Sequence, residues 1–212
     1  MKTHISLSAS LARRRAVQSA VGAVALVMAT GLFTACAPDK PQFQSIDLTG
    51  ADYAQGFSLA DYNGQVRTLK DFAGKVVVVF FGFTQCPDVC PTSLADLAQT
   101  KKLLGSDGDK LQAIFITVDP ERDTPELLKA YMTNFDPSFL ALRPTMAQLP
   151  GVAKDFKIYY KKVEGKTEGN YSMDHSAGSY VFDSKGRVRL YNRYGAGAEV
   201  LASDIRLLLK NT

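Results

Sequence analysis

An unbroken apolar run, Val76–Phe81, is the feature that most constrains how this chain can fold. Such a run, followed by a glycine-containing segment, predicts a strand buried on both faces. A helical pattern begins near Pro91, because proline is favoured in the first turn of a helix. The apolar face of this helix is formed by Leu94, Leu97 and Leu104. Cys86 and Cys90 lie between strand and helix, so the sequence places both thiols in a strand-to-helix turn at the edge of a sheet.

The rest of the sequence alternates between strand and helix patterns. The other predicted strands are Phe57–Asp61, Gln65–Leu69, Leu111–Val118, Leu140–Arg143, Ile158–Val163, Ser179–Phe182 and Val188–Tyr191. The other predicted helices are one that starts at Thr124-Pro125-Glu126 with Leu127, Leu128, Tyr131 and Phe135, one at Met146–Phe156, and a last one with Val200, Leu201, Ile205, Leu208 and Leu209. This alternation indicates an α/β fold with a mixed sheet. The cysteine pair at the first strand-to-helix turn narrows it to a thioredoxin-like fold, with Phe57–Leu69 as an added N-terminal hairpin.

The first 36 residues have the layout of an export signal. They contain four basic residues and no acidic one, and no charge occurs from Ala20 to Ala35. They end in Phe33-Thr34-Ala35-Cys36, which resembles a bacterial lipobox apart from Phe33; in such signals the cysteine is lipidated and becomes the mature N-terminus. The alternative is an uncleaved membrane helix, although 16 apolar residues are few for a span. Either interpretation predicts a domain tethered to the bacterial cell membrane that faces the periplasm or the cell exterior.

Removing this leader changes the charge balance of the chain. The sequence has 25 Lys and Arg against 21 Asp and Glu, so the loss of the four basic leader residues leaves 21 of each sign. A neutral domain without a basic stripe argues against a nucleic-acid partner. The remaining chain, about 176 residues, is enough for one domain with a real core. We expect a spacer over residues 37–45 and a single domain over 46–212.

His175 is the only histidine beyond the leader. The sequence places it in the loop Met173-Asp174-His175-Ser176, just before the predicted strand Ser179–Phe182. In a thioredoxin-like sheet that loop faces the cysteine loop, so we expect Cys86, Cys90 and His175 to converge. Two soft thiolates and an imidazole suit copper or zinc, and a three-ligand site of soft donors especially suits Cu(I). A lone histidine is more often structural, but one that faces two thiolates is predicted to be a ligand.

Two other interpretations of the cysteine pair compete with metal binding. A helix N-terminus lowers the pKa of a nearby thiol and favours the thiolate, which attacks disulfides as well as binding metals. The main rival is therefore an enzyme, either a thiol–disulfide reductase or a peroxidase using Cys86. Against it, three residues separate the cysteines instead of two, and no proline follows Pro150, where such reductases carry one before the facing strand. A purely structural disulfide is the third interpretation, but closing so small a loop would stabilise little.

Four segments in order from Phe57 carry a family resemblance: FSLADYNGQVRTLKDFAGK, VFFGFTQCPDVCPTSL, TVDPERDTPE and DHSAGSYVFDSKG. They resemble the Sco/SenC family, whose members bind one copper ion, as Cu(I) or Cu(II), through residues matching Cys86, Cys90 and His175. The resemblance implies a copper chaperone that helps assemble the binuclear copper site of cytochrome c oxidase by delivering copper, by reducing that site's cysteines, or both. The implied partners are the copper-bearing oxidase subunit or another copper protein, and a thiol reductant protein.

Acidic residues near the cysteine loop are weaker candidates. Asp119 follows the strand Leu111–Val118 and is expected beside that loop, where it either influences the thiolates or serves the turn Asp119-Pro120. Asp123 and Thr124, together with Glu126, are predicted to cap the next helix.

Three further positions carry two interpretations each. Asp88, between the cysteines, is either a contact for a partner or a solvated turn residue. Met173 is either a weak copper ligand or a packing residue. The aromatic residues of the central run are predicted to form core or pocket wall: Phe80, Phe81 and Phe83.

Overall fold

The computed structural model describes residues 41–167 and 169–211. Its strands are β1 (Ile46–Asp47), β2 (Ser58–Asp61), β3 (Val66–Thr68), β4 (Val76–Gly82), β5 (Leu111–Thr117), β6 (Leu140–Arg143), β7 (Tyr160–Glu164), β8 (Tyr171–His175), β9 (Ser179–Phe182) and β10 (Val188–Asn192). Its helices are α1 (Val89–Leu103), α2 (Pro125–Thr133), α3 (Leu149–Asp155) and α4 (Ala198–Lys210). The predicted alternation of strands and helices is therefore present.

An eight-stranded mixed sheet organises the domain, in the order β1-β10-β9-β4-β5-β6-β2-β3. β4, β5 and β6 are parallel to one another, and the other neighbours are antiparallel. Every residue of β4 is buried, as its unbroken apolar run predicts. Because β9 runs antiparallel to β4, with Ser179 opposite Phe80, the chain that enters β9 lies at the carboxyl end of β4. The sheet thus brings the segment before β9 close to the cysteine loop.

The core has two layers, one on each face of the sheet. Val77, Val79 and Phe81 belong to the layer shared with α3 and the turn Leu69–Phe72. The other layer is covered by α1, α2 and α4, and it contains Val76, Val78, Phe80, Leu94, Leu97, Leu128, Met132, Leu201, Ile205 and Leu208. Since successive strand residues face opposite sides, this division follows from the period of two in β4.

Two helices begin at residues other than those predicted. α1 starts at Val89, so Cys90 belongs to its first turn instead of preceding the helix. α3 starts at Leu149, three residues after the predicted start at Met146. Here Thr145 and Gln148 exchange hydrogen bonds through their side chains and backbones, and this turn replaces the first helical turn.

Two strands were not predicted. β8 lies where the sequence indicated a loop, and it pairs with β7 in a separate two-stranded sheet that joins His175 to Tyr160. β1 is only two residues long and pairs with β10 at the edge of the large sheet. The backbone amides of Gln44 and Ser45, at the end of the predicted spacer, donate to the buried carboxylate of Asp204 in α4.

The predicted leader and most of the predicted spacer lie outside the described residues, and so does Cys36. In the part of the chain that the structure describes, none of the helices has the length and apolarity that a membrane span requires.

Candidate metal centre

Three side chains converge at the carboxyl end of β4. The sulfur atoms of Cys86 and Cys90 and a ring nitrogen of His175 all lie within 4.8 Å of one another. The Cys90 sulfur is 3.4 Å from His175 Nε2, although 85 positions separate the two residues. Both thiols are free. The three residues that the sequence singled out as metal ligands are therefore close enough to share one ion.

The two cysteines differ in accessibility. Cys86 lies in the loop after β4 and is half-buried, and its amide donates to the carbonyl oxygen of Phe83. Cys90 is fully buried in the first turn of α1, and its amide donates to the Cys86 sulfur at 3.4 Å. A ligand from another molecule therefore meets Cys86 before Cys90.

His175 ends β8 and is held by its neighbours. Its ring packs edge-on against Phe80 and Phe83, with centroid distances of 6.1 and 5.8 Å. Its Nδ1 lies 2.9 Å from the carbonyl oxygen of Ser176. Since a carbonyl oxygen only accepts hydrogen bonds, Nδ1 carries the proton and Nε2 presents a lone pair towards the thiols. This is the tautomer that a metal-binding histidine needs.

Gly82, the last residue of β4, makes room for the Cys90 thiol. A Cβ at this position would lie 2.6 Å from the Cys90 sulfur and 2.8 Å from Cε2 of Phe115. Any larger residue would displace one of them. Sequence reasoning used this glycine only to end the strand. The signal that could have revealed this role is a glycine in a buried strand just before a cysteine loop. Glycines inside strands often mark a place where another group approaches the backbone closely.

The two thiols share one proton unequally. The hydrogen bond from the Cys90 thiol is the largest effect on Cys86 and, with backbone amides, it lowers the pKa of Cys86 to about 4 despite burial. The same hydrogen bond and burial raise the pKa of Cys90. The predicted influence of the helix N-terminus is present in the amides of Asp88 and Cys90 but is not the main cause. Near neutral pH, Cys86 is a thiolate and Cys90 remains a thiol.

This arrangement predicts an unusual pH profile for alkylation of Cys86 by iodoacetamide. Because the thiolate is lost only as the pH falls through about 4, the rate should be nearly constant between about pH 6 and about pH 8. An ordinary thiol would slow by nearly tenfold per pH unit in this range. Peptide mass spectrometry after timed quenching measures the rate at each cysteine separately.

The Cys90→Ala variant provides the matched control. It removes the thiol that donates to Cys86, so its Cys86 rate should fall steeply with decreasing pH. A steep profile in the wild-type protein would contradict the assignment of the proton to Cys90.

Asp119 lies beside the centre without being one of the converging ligands. It is buried, and its carboxylate accepts hydrogen bonds from the Tyr171 hydroxyl at 2.8 Å and from Arg122 Nε at 2.5 Å. Arg122 Nη1 in turn donates to the side chain of Gln85, next to Cys86. Asp119 therefore reaches the cysteine loop through Arg122.

Asp123 does not cap the following helix, so that prediction was wrong. Its buried carboxylate accepts hydrogen bonds from the amide and hydroxyl of Thr84 and from the hydroxyl of Thr117. Burial is the largest cause of the raised pKa of this carboxyl group. Thr124 alone is the N-cap, and its hydroxyl accepts from the amide of Leu127. Asp123 instead fixes the start of the cysteine loop to the end of β5.

The remaining candidates take ordinary positions. Asp88 is exposed at the N-cap of α1 and makes no capping hydrogen bond with its side chain. Met173 is 8% exposed and packs in the core, on the same face of β8 as His175. These contacts favour packing as the role of Met173. Phe80, Phe81 and Phe83 are buried, and the first and last of them contact the His175 ring.

Comparisons with known proteins agree on one family. The sequence matches the family described as SCO1/SenC over residues 47–210. It is 35% identical over 170 residues to the SCO2-like protein of Rickettsia felis, which covers 79% of this chain and 82% of that protein. The structure of Bradyrhizobium japonicum ScoI with copper bound is 42% identical, with a TM-score of 0.66 over 72% of this chain and 97% of that one. The crystal structure of yeast Sco1 with copper bound is 33% identical, with a TM-score of 0.67 over 74% and 88% of the two chains. These likenesses confirm the thioredoxin-like fold expected from the sequence.

Proposed function

Because the chain belongs to the SCO1/SenC family, we propose that it binds one copper ion through Cys86, Cys90 and His175 and acts as a copper chaperone. Its proposed role is to help assemble the binuclear copper site of cytochrome c oxidase, as the family resemblance implies. The proposed recipients are the copper-bearing subunit of the oxidase or another copper protein. A thiol reductant protein would keep the two cysteines reduced.

The convergence of two thiols and an imidazole within 4.8 Å is the observation that carries this proposal. Soft sulfur donors select copper(I) and zinc among the common metals, and imidazole extends the set to copper(II). The family relatives with copper bound favour copper over zinc. The Nε2 lone pair of His175 and the thiolate of Cys86 already have the protonation states that a metal requires.

In this role copper is the cargo, which passes to a partner by ligand exchange. Cys90 must lose its proton when the ion arrives, because it remains a thiol in the empty site. The half-buried Cys86 gives a partner's thiolate or imidazole a place to attack. The buried Cys90 keeps hold of the ion until the partner supplies a replacement ligand.

Copper binding should require the reduced dithiol. A disulfide between Cys86 and Cys90 would remove both soft anionic donors and leave only the imidazole, so oxidised protein should bind copper about tenfold more weakly or worse. Isothermal titration of reduced and oxidised full-length protein measures the difference.

A Cys36→Ser variant is the matched control, because it changes the other cysteine of the chain and should bind copper like the wild type. Equal affinity of reduced and oxidised protein would exclude Cys86 and Cys90 as ligands.

A thiol–disulfide reductase, or a peroxidase, is the second candidate function. It is favoured by the low pKa of Cys86, since a thiolate backed by a second thiol can reduce a disulfide. In that reaction Cys86 would attack one sulfur of the substrate and release the other as a thiolate. Cys90 would then displace the second thiol and leave an oxidised pair in the protein. The Cys86→Ser variant tests this function. A loss of turnover of a disulfide or peroxide substrate that is larger than the loss of copper affinity would favour it.

We also propose that the domain is tethered outside the cytoplasm by a lipid on Cys36. The basis is the sequence of the leader, with its basic start, apolar stretch and Phe33-Thr34-Ala35-Cys36 ending. Membrane attachment would hold the copper site close to a membrane-bound oxidase. The residues from 37 to about 43 would then act as the spacer, since Gln44 and Ser45 are bonded to Asp204.

Mass spectrometry of the protein from bacterial membranes should detect a diacylglyceryl group on an N-terminal Cys36. The Cys36→Ser variant should lose that mass and remain unprocessed, because the lipid is attached before cleavage in signals of this type. A wild-type chain that still begins at Met1 would contradict lipidation and support an uncleaved anchor.

A further inference from the structure

One arginine outside the converging ligands contacts both the cysteine loop and the strand that carries His175. Arg122 lies in the turn between β5 and α2, and its side chain is 19% exposed. Its Nη1 donates to the Gln85 side chain at 3.0 Å and to the carbonyl oxygen of Tyr171 at 2.8 Å. Its Nε donates to Asp119 at 2.5 Å. A single guanidinium therefore links the cysteine loop, the turn after β5 and strand β8.

Two of these contacts are made to segments that carry proposed copper ligands. Gln85 is the residue before Cys86, and Tyr171 begins the strand that His175 ends. The guanidinium carbon is 3.5 Å from the centroid of the Tyr171 ring and 5.9 Å from that of Phe83. The Phe83 ring in turn contacts the ring of His175. Arg122 thus reaches both sides of the site without touching a ligand atom.

Asp119 orients this arginine. One carboxylate oxygen accepts a hydrogen bond from the Tyr171 hydroxyl and the other accepts one from Arg122, so the carboxylate fixes the ring and the guanidinium relative to each other. Arg122 Nη2 is buried and has no hydrogen-bond partner among the residues that the structure describes. A buried donor without a partner is unfavourable, so the position of the guanidinium is imposed by its other contacts.

We propose that Arg122 is a positioning residue that fixes the Cys86 loop against the His175 strand and so sets the geometry of the copper site. This role rests on the proposed function, because it is defined by copper binding at Cys86, Cys90 and His175. A planar guanidinium can donate in several directions and stack on a ring at the same time, which a lysine ammonium cannot do. Cu(II), which demands a fuller coordination shell than Cu(I), should be the more sensitive to this geometry.

Copper titrations of the full-length chain test the proposal, with Cu(II) electron paramagnetic resonance and the denaturant midpoint as further readouts. Arg122→Met should weaken Cu(II) binding by about 10- to 100-fold and change the Cu(II) spectrum, the range typical of residues that orient metal ligands. Arg122→Lys should behave similarly, since charge alone does not restore the contacts. Cu(I) affinity should change less than Cu(II) affinity in both variants.

Arg143→Met is the matched control. Arg143 donates to the carbonyl oxygens of Pro120 and Asp123, so it supports the same turn as Arg122 but through backbone groups only. Its loss should lower the denaturant midpoint while leaving the Cu(II) affinity and spectrum at wild-type values. A role of Arg122 in folding alone would give this same pattern for Arg122→Met, and that result would overturn the proposal.

Gln85→Ala keeps the test decisive if Arg122→Met does not fold. Gln85 is exposed, so its loss should leave stability unchanged and weaken Cu(II) binding by a few fold. In the Arg122→Lys background the Gln85→Ala change should have no further effect, because the link is already broken. An unchanged Cu(II) spectrum in Gln85→Ala would contradict the coupling. A wild-type protein that binds no copper would instead overturn the copper site itself, and the role of Arg122 with it.

Discussion

The His175→Ala variant should lose Cu(II) binding while retaining most of its affinity for Cu(I). His175 supplies the nitrogen donor of the three converging groups, and its removal leaves the two sulfur atoms. Two thiolates are enough for Cu(I), which accepts low coordination, whereas Cu(II) prefers nitrogen donors and a fuller shell. We expect Cu(II) affinity to fall by about 100-fold or more, with loss of the thiolate-to-copper absorption band. Oxidase assembly in cells should fail as well.

The Met173→Leu variant is the control that distinguishes loss of the His175 ligand from disturbance of strand β8. Met173 lies two residues before His175 on the same face of β8, and leucine preserves its volume. This variant should keep Cu(II) binding, because the contacts of Met173 are those of a core residue. Undiminished Cu(II) binding and full assembly activity in His175→Ala would contradict the three-ligand site and favour the reductase.

The Gly82→Ala variant should lose both stability and copper binding. The added methyl group would lie 2.6 Å from the Cys90 sulfur and 2.8 Å from a ring carbon of Phe115, so one or both must move. Overpacking of this kind in a buried strand costs about 1–3 kcal/mol of unfolding free energy. The displaced sulfur should also weaken binding of Cu(I) and Cu(II) alike, unlike the His175 change. Denaturant unfolding and copper titration measure the two effects.

Gly151→Ala is the control for adding a methyl group. Gly151 lies in α3, where a Cβ would have no neighbour within 4 Å, so alanine should be neutral or stabilise the helix. In a Cys90→Ala background, Gly82→Ala should destabilise less, because the closest clash is then absent. Wild-type stability and copper affinity in the Gly82→Ala variant would show that Gly82 does not make room for Cys90.

Elements with strong local patterns were predictable from the sequence, and elements that depend on distant partners were not. The apolar run of β4 and the glycine-containing turns of the hairpins carry their signal in a few consecutive residues. β8 alternates tyrosine, methionine and histidine with polar residues, but it is short, follows a polar stretch and exists through its pairing with β7. The start of α3 depends on the side chains of Thr145 and Gln148, which a hydrophobic pattern does not detect.

The converging residues of the site were predictable because the sequence offers so few soft or nitrogen donors. Two cysteines and one histidine beyond the leader leave little choice of ligand. The residues that hold these side chains in place were not predictable, because their roles depend on contacts between segments that are distant in sequence. Asp123 accepts a hydrogen bond from Thr84, which is 39 residues away in sequence. Arg122 donates one to the carbonyl oxygen of Tyr171, which is 49 residues away. Both side chains sit in a segment whose turn residues suggested helix capping.

In the proposed chaperone, the shared proton of the cysteine pair also sets how far the charge of the domain changes when copper is loaded. The empty site holds one thiolate and one thiol. Uptake of Cu(I) adds one positive charge and expels the Cys90 proton, so the net charge of the domain is the same before and after loading. Uptake of Cu(II) raises that charge by one. For a recipient attracted by net charge, the proposed Cu(I)-loaded form and the empty form are therefore equivalent at long range, whereas the Cu(II)-loaded form is not.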